Sequence, residues 1–144
     1  MQAVSVGSHC NTKPGKAKWN KRINLQIEVQ ILKPNDSCKL DQLISIFEIV
    51  FGMEQFKRPS AVYLQQLLNK ETFFAVIAMT ERKIIGGLTV YVLDQYYSDK
   101  PLAYLYDLAV LPEYQRMGVG KMLIAFTNEY CTEKRFEEVF GGRS

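Results

Sequence analysis

Leu25-Gln-Ile-Glu-Val-Gln-Ile31 alternates apolar and polar residues, the two-residue period of a strand with one buried face. Pro34-Asn-Asp-Ser37 is a turn rich in helix N-cap residues. Leu40, Leu43, Ile44, Phe47, Val50 and Phe51 then recur at helical spacing, which predicts an amphipathic helix from about Cys38 to Phe51, ended by Gly52. Met53-Glu-Gln-Phe-Lys-Arg58 has no period and should be an exposed loop. Pro59-Ser60 should begin a second helix whose apolar stripe is Val62, Leu64, Leu67 and Leu68. Two apolar runs follow, Phe73–Met79 and Ile84–Leu93, and Thr80-Glu-Arg-Lys83 between them makes a hairpin. After a polar connection from Asp94 to Pro101 comes a strand over Leu102–Leu111. A third helix over about Gly118–Lys134 should face the core with Val119, Met122, Leu123, Phe126 and Tyr130. A last strand opens at Glu137-Glu-Val-Phe140. The chain is thus of mixed α/β (α+β) class, a central, mostly antiparallel sheet flanked by helices.

One junction in this pattern carries chemistry. Tyr104-Leu-Tyr-Asp-Leu-Ala-Val-Leu-Pro-Glu-Tyr-Gln-Arg-Met-Gly-Val-Gly-Lys121 runs from a buried strand through a turn into a helix. The first turn of a helix has backbone N–H groups without intrahelical partners, and its dipole favours negative charge. Gly118 and Gly120 remove side chains that would keep an anion away, and Arg116 adds a forked cationic donor. A pyrophosphate ligand is expected. A Walker A loop would need Gly at Gln115 and Ser or Thr at Met122, and a dinucleotide fingerprint would need Gly at Leu123, so neither reading fits.

What remains, Gln115-x-x-Gly118-x-Gly120 behind Asp107-Leu-Ala-Val110, resembles the acyl-coenzyme A loop of the GNAT acetyltransferase superfamily. Phe73-Phe-Ala-Val-Ile-Ala78, Ile85-Gly-Gly-Leu-Thr-Val-Tyr-Val-Leu93 and Leu105-Tyr-Asp-Leu-Ala-Val110 are similar to the class I aminoglycoside 3-N-acetyltransferases, from about Leu25 to about Phe140. The element order matches the GNAT order. That family continues with a further helix and usually two more strands, whereas this chain ends in Gly141-Gly-Arg-Ser144. The expectation is a C-terminally truncated GNAT fold lacking the last helix and strands. An unpaired sheet edge would then give either reduced stability or a homodimer that covers the gap.

The 144 residues allow one domain at most. The net charge of +3 hides an asymmetry: residues 1–22 hold five basic residues and no acid, while the rest holds 13 basic and 15 acidic side chains. The division expected is a disordered basic leader over 1–22 and an acetyltransferase domain over 23–144. A mildly acidic domain argues against nucleic acid, and no apolar run reaches the length of a membrane span. Cys10, Cys38 and Cys131 are scattered and odd in number, which points to a reducing, cytoplasmic compartment and against zinc or a disulfide framework. No metal is expected. His9, the only histidine, lies in the leader, so histidine catalysis is excluded.

The resemblance implies acetyl-CoA as co-substrate, acetylating an amino group of an aminoglycoside antibiotic, a resistance-type activity. Pantetheine would bond to the strand edge at Leu108, Ala109 and Val110. The pyrophosphate would lie on Gln115, Arg116, Met117, Gly118, Val119, Gly120 and Lys121. Asp107, the lone ionisable group among Leu, Tyr, Ala and Val, is the expected catalytic residue. Simple alternation puts it on the face of Leu105 and Ala109. As general base or ammonium anchor it would also bind substrate, with Glu54 of the first inter-helix loop. Asp94, Asp99 and Glu113 are weaker carboxylate candidates. Tyr104, Tyr106, Tyr96 and Tyr97 are candidates for a sugar-binding wall. The family's tyrosine acid lies in the helix absent here, and nothing in the sequence puts Tyr130 or Tyr114 in its place. Two alternatives stand beside this: a truncated inactive domain that only binds acyl-CoA, and a GNAT enzyme for another small amine or a peptide.

Overall fold

The computed structural model describes residues 16–20, 25–53 and 56–141. Its sheet has six strands in sequence order: β1 (Lys16–Asn20), β2 (Leu25–Ile31), β3 (Phe73–Thr80), β4 (Lys83–Leu93), β5 (Leu102–Val110) and β6 (Val139–Gly141). Neighbours from β1 to β5 are antiparallel, and β6 joins β5 in parallel. Three helices, α1 (Ser37–Phe51), α2 (Ala61–Leu68) and α3 (Val119–Glu133), pack on its two faces. β1 falls inside the stretch assigned above to the leader.

Every residue of β3 is buried, as a central strand covered on both faces requires. One face packs Leu40, Leu43 and Phe47 of α1 and Leu64 and Leu68 of α2 on Phe73, Ala75 and Ile77. The other packs Val119, Leu123 and Cys131 of α3 on Phe74, Val76, Leu88 and Leu105. Val62, placed above in the stripe of α2, is 65% exposed. Ser60 is the N-cap, its Oγ accepting from the Tyr63 N–H at 3.1 Å, so the helix starts later and turns Val62 outward.

Gly87 explains how close α1 comes to the sheet. A Cβ there would lie 2.6 Å from Leu43 Cδ1 and 2.7 Å from the Val76 carbonyl oxygen, so only glycine lets the helix seat. The hairpin joining β3 to β4 turns on Glu81 and Arg82, both left-handed at φ 51° and 64°. Arg58 fastens the end of the α1–α2 loop to α1, bonding Asp41 and Glu48 at 2.8 Å each. Cys131 is a free, buried thiol, and Cys10 lies outside the described residues.

Candidate active site

The strand that leads into the glycine loop is irregular where the chemistry is expected. β5 pairs with β4 as Leu108 to Leu88 and Asp107 to Thr89, but Val90 is opposite Leu105, so Tyr106 is an extra residue in the ladder. A bulge of this kind shifts the alternation by one position. Leu105 lies in the core under α3, whereas Ala109 and Leu111 lie in the core under α1. The expectation that Asp107 shares a face with both Leu105 and Ala109 is therefore corrected. Beyond the bulge, Asp107 has the phase of Ala109 and belongs to the α1 and α2 face. Tyr106 joins it there: its ring meets Tyr91 at 5.5 Å, and Tyr91 packs on Phe73 of that same core at 5.3 Å. The Asp107 carboxylate lies close enough to act on the Tyr91 hydroxyl, whose pKa is raised by burial first, then by Tyr106, Tyr63 and Asp107.

The other edge of β5 is covered only at its start. β6 pairs with Ala103, Tyr104 and Leu105, and from Tyr106 to Val110 no strand among the described residues lies alongside. Backbone groups alternate sides along a strand. The Leu111 N–H donates to Ile85 of β4, while the Val110 carbonyl accepts from Gln115 Nε2 at 2.8 Å on the opposite side. By that alternation the N–H groups of Val110 and Leu108 point to the uncovered edge. Ala109, expected to share in this edge, turns its N–H to β4.

A short 3-10 turn over Pro112–Tyr114 separates β5 from the loop. Arg116 has φ 65° and Gly118 has φ 86°, while Met117 between them and Val119 after them do not have positive φ. Residues of alternating hand point successive N–H groups to one side, the concave arrangement that receives anions. Val119 and Gly120 open the helix, where the first N–H groups have no intrahelical partner. A Cβ at Gly120 would meet nothing within 4 Å, so the mouth of the cradle is open. Gln115, Arg116 and Lys121 are exposed around it. The first helical residue is Val119, so Gln115 and Arg116 belong to the loop, and Gln115 ties it to β5 through its side chain.

Some expected residues are not brought to this site. Tyr130 packs its ring on Phe74 at 4.9 Å under α3, and burial raises its pKa. Tyr114 lies between the two cores with Lys83 over its ring. Asp94, Asp99 and Glu113 are exposed, and Glu54 lies outside the described residues. Tyr96 and Tyr97 stack edge to face in the β4–β5 connection, away from the bulge. Sequence reasoning missed the bulge. Its signal was the break in the apolar phase between Ala103/Leu105 and Leu108/Val110.

The family profile described as "Acetyltransferase (GNAT) family" matches residues 40–141. The chain belongs to this GNAT family. It is an acetyltransferase by that membership, and its resemblance to aminoglycoside acetyltransferases holds at the level of structure. One such enzyme, from an uncultured soil metagenomic sample and solved with trehalose, is 52% identical at a TM-score of 0.80, over 82% of this chain and 78% of that one. The complex of that enzyme with sisomicin gives a TM-score of 0.79 at the same identity and coverage. A second soil metagenomic aminoglycoside acetyltransferase is 29% identical at a TM-score of 0.77, over 81% of this chain and 78% of that one. No match was found among curated proteins. Among the described residues, no helix is long and apolar enough to cross a membrane.

Proposed function

We propose that this GNAT enzyme transfers the acetyl group of acetyl-CoA to an amino group of an aminoglycoside. The 3-amino position is the first regiochemistry to test. The observation that carries the reading is the sequence of features along β5. Asp107 at the bulge is followed by the N–H groups of Leu108 and Val110 on an uncovered edge, then by the cradle of Arg116–Gly120. That order suits one extended ligand with a reactive end, a peptide-like arm and a diphosphate. Its 52% identity to an aminoglycoside acetyltransferase supports the choice of acceptor.

Acetyl-CoA supplies an activated acyl group whose C–S bond breaks as the amide C–N bond forms. The cradle, with the backbone of Met117 in it, holds the diphosphate, and Arg116 and Lys121 supply charge. The N–H of Leu108 or Val110 donates to the thioester oxygen as it gains negative charge, an interaction typically worth a few kcal/mol. An ammonium group cannot attack, so Asp107 takes its proton, directly or through water, and holds the acceptor by charge. One proton goes to solvent and one ends on the released thiol. Thiolate departure needs little acid help, because a thiol pKa is already near 8.5. Glu54 would give a second carboxylate for a polycationic substrate. Work on such a substrate belongs in the cytoplasm, where acetyl-CoA is made.

The test is thiol release by purified protein from acetyl-CoA and gentamicin or sisomicin, with the product located by NMR. Asp107→Asn should lower kcat by about 100-fold or more, within the usual range for general bases, while coenzyme A affinity stays unchanged. Absence of transfer to a broad panel of amines sinks the proposal.

A further inference from the structure

Four aromatic side chains cross the sheet in one line on the α1 and α2 face. Phe73 of β3 is opposite Tyr91 of β4, Tyr91 is opposite Tyr104 of β5, and Tyr104 is opposite Phe140 of β6. Tyr106 enters the line because of the bulge. Ring centroids follow one another at 5.3 Å from Phe73 to Tyr91, 5.5 Å to Tyr106, 6.1 Å to Tyr104 and 4.9 Å to Phe140.

Cross-strand aromatic pairs stabilise sheets, and Phe73, 5% exposed, needs no other account. The rest of the row differs. Tyr91, Tyr106 and Phe140 are 37%, 40% and 36% exposed, so rings that would bury well under a helix are open to solvent. Tyr63 of α2 stands at one end, near enough to act on the Tyr91 hydroxyl. Asp107 follows Tyr106 in the chain, on the side towards the cradle.

We infer that Tyr91, Tyr106, Tyr104 and Phe140, bounded by Tyr63, form the platform on which sugar rings of a polycationic amino sugar lie, with Asp107 receiving the reacting ammonium. This rests on the acetyl-transfer reading for the identity of the reaction, though not for binding. The apolar C–H faces of sugar rings stack on aromatic rings, and ammonium groups are drawn to ring faces, most strongly where water is thinned out. From β4 to β6 the platform spans two strand spacings, about 10 Å, room for two linked rings. A carboxylate at one end and phenol hydroxyls along the line match a ligand that carries positive charge and many hydroxyls. A simple monoamine would touch Asp107 and leave the row empty.

The test is calorimetry of sisomicin binding to the protein loaded with coenzyme A, beside kinetics with sisomicin and with a small monoamine. Tyr106→Ala and Phe140→Ala should each weaken sisomicin binding about tenfold or more, and so should Tyr106→Leu, which stays apolar but loses the ring face. Tyr106→Phe should stay within threefold of wild type. Coenzyme A affinity should not change. Equal sisomicin binding by wild type and the alanine variants overturns the inference, as does wild type that does not bind the drug at all. Binding that depends on the row, without transfer, keeps the platform and instead removes the reading of the reaction.

Discussion

Gly118 and Gly120 stand two residues apart and are glycine for different reasons. Gly118 is left-handed at φ 86°, where a Cβ is strained by roughly 1–2 kcal/mol. Gly120 is helical, with open space where a Cβ would be. Gly120→Ala should therefore fold normally and bind coenzyme A nearly as wild type. Gly120→Glu should also melt normally but lose at least tenfold in coenzyme A affinity, because a carboxylate would face the diphosphate; calorimetry with thermal melting checks both. Cys131 gives a pH dependence. Burial pushes its thiol from 9.0 up to about 11, so the folded chain holds this proton more tightly than the unfolded chain. The resulting stability, on the order of 2 kcal/mol from a shift of this size, is whole below about pH 9 and lost as pH rises towards 11. Urea midpoints at pH 8 and pH 10.5 should fall further apart in wild type than in Cys131→Ala. The glycine-bearing helix start was legible because Gly118 and Gly120 stand between an apolar strand and an apolar helical stripe. The left-handed Arg116 was not, since nothing about an arginine announces a positive φ.

The helices and the β3–β4 hairpin were legible in their periods, because amphipathic faces and apolar runs are set by burial. Their ends moved by a residue or two, as with α2, where the Ser60 cap rather than Pro59 fixes the start. The turn at Thr80–Lys83 was also readable, but its strain was not. Glu81 and Arg82 both adopt the left-handed region that two-residue hairpins require and that Asn-Gly fills at least cost. The double change Glu81→Asn with Arg82→Gly should raise stability by roughly 1 kcal/mol, read as a higher denaturation midpoint with unchanged coenzyme A binding. The one signal of the bulge in β5, the phase break after Leu105, is blurred because Ala109 and Leu111 continue the odd-numbered apolar positions. The face assigned to Asp107 was then wrong, although its being the one ionisable side chain between Leu, Tyr, Ala and Val was plain in the sequence.

The molecule has two cores separated by one sheet, with α1 and α2 over one and α3 over the other. Leu43 and Leu123 are each fully buried, in different cores. Leu43→Ala and Leu123→Ala should each cost about 2–5 kcal/mol, and the double variant should lose close to the sum, since the two residues lie in cores on opposite faces of the sheet. Chemical denaturation of the three variants decides this. The antiparallel order of the sheet was legible from its short connections. β1 was not, because the lysines that alternate with Ala17 and Trp19 made residues 16–20 look like part of a charged tail. Tyr106 adds one further consequence at this scale. Removing that single residue would let β5 resume regular pairing with β4 and leave both hydrophobic layers intact. The acid would keep its face, because Leu105 and Asp107 would then be consecutive residues on opposite sides of the sheet, so the deletion would take one ring out of the aromatic row without unfolding the molecule.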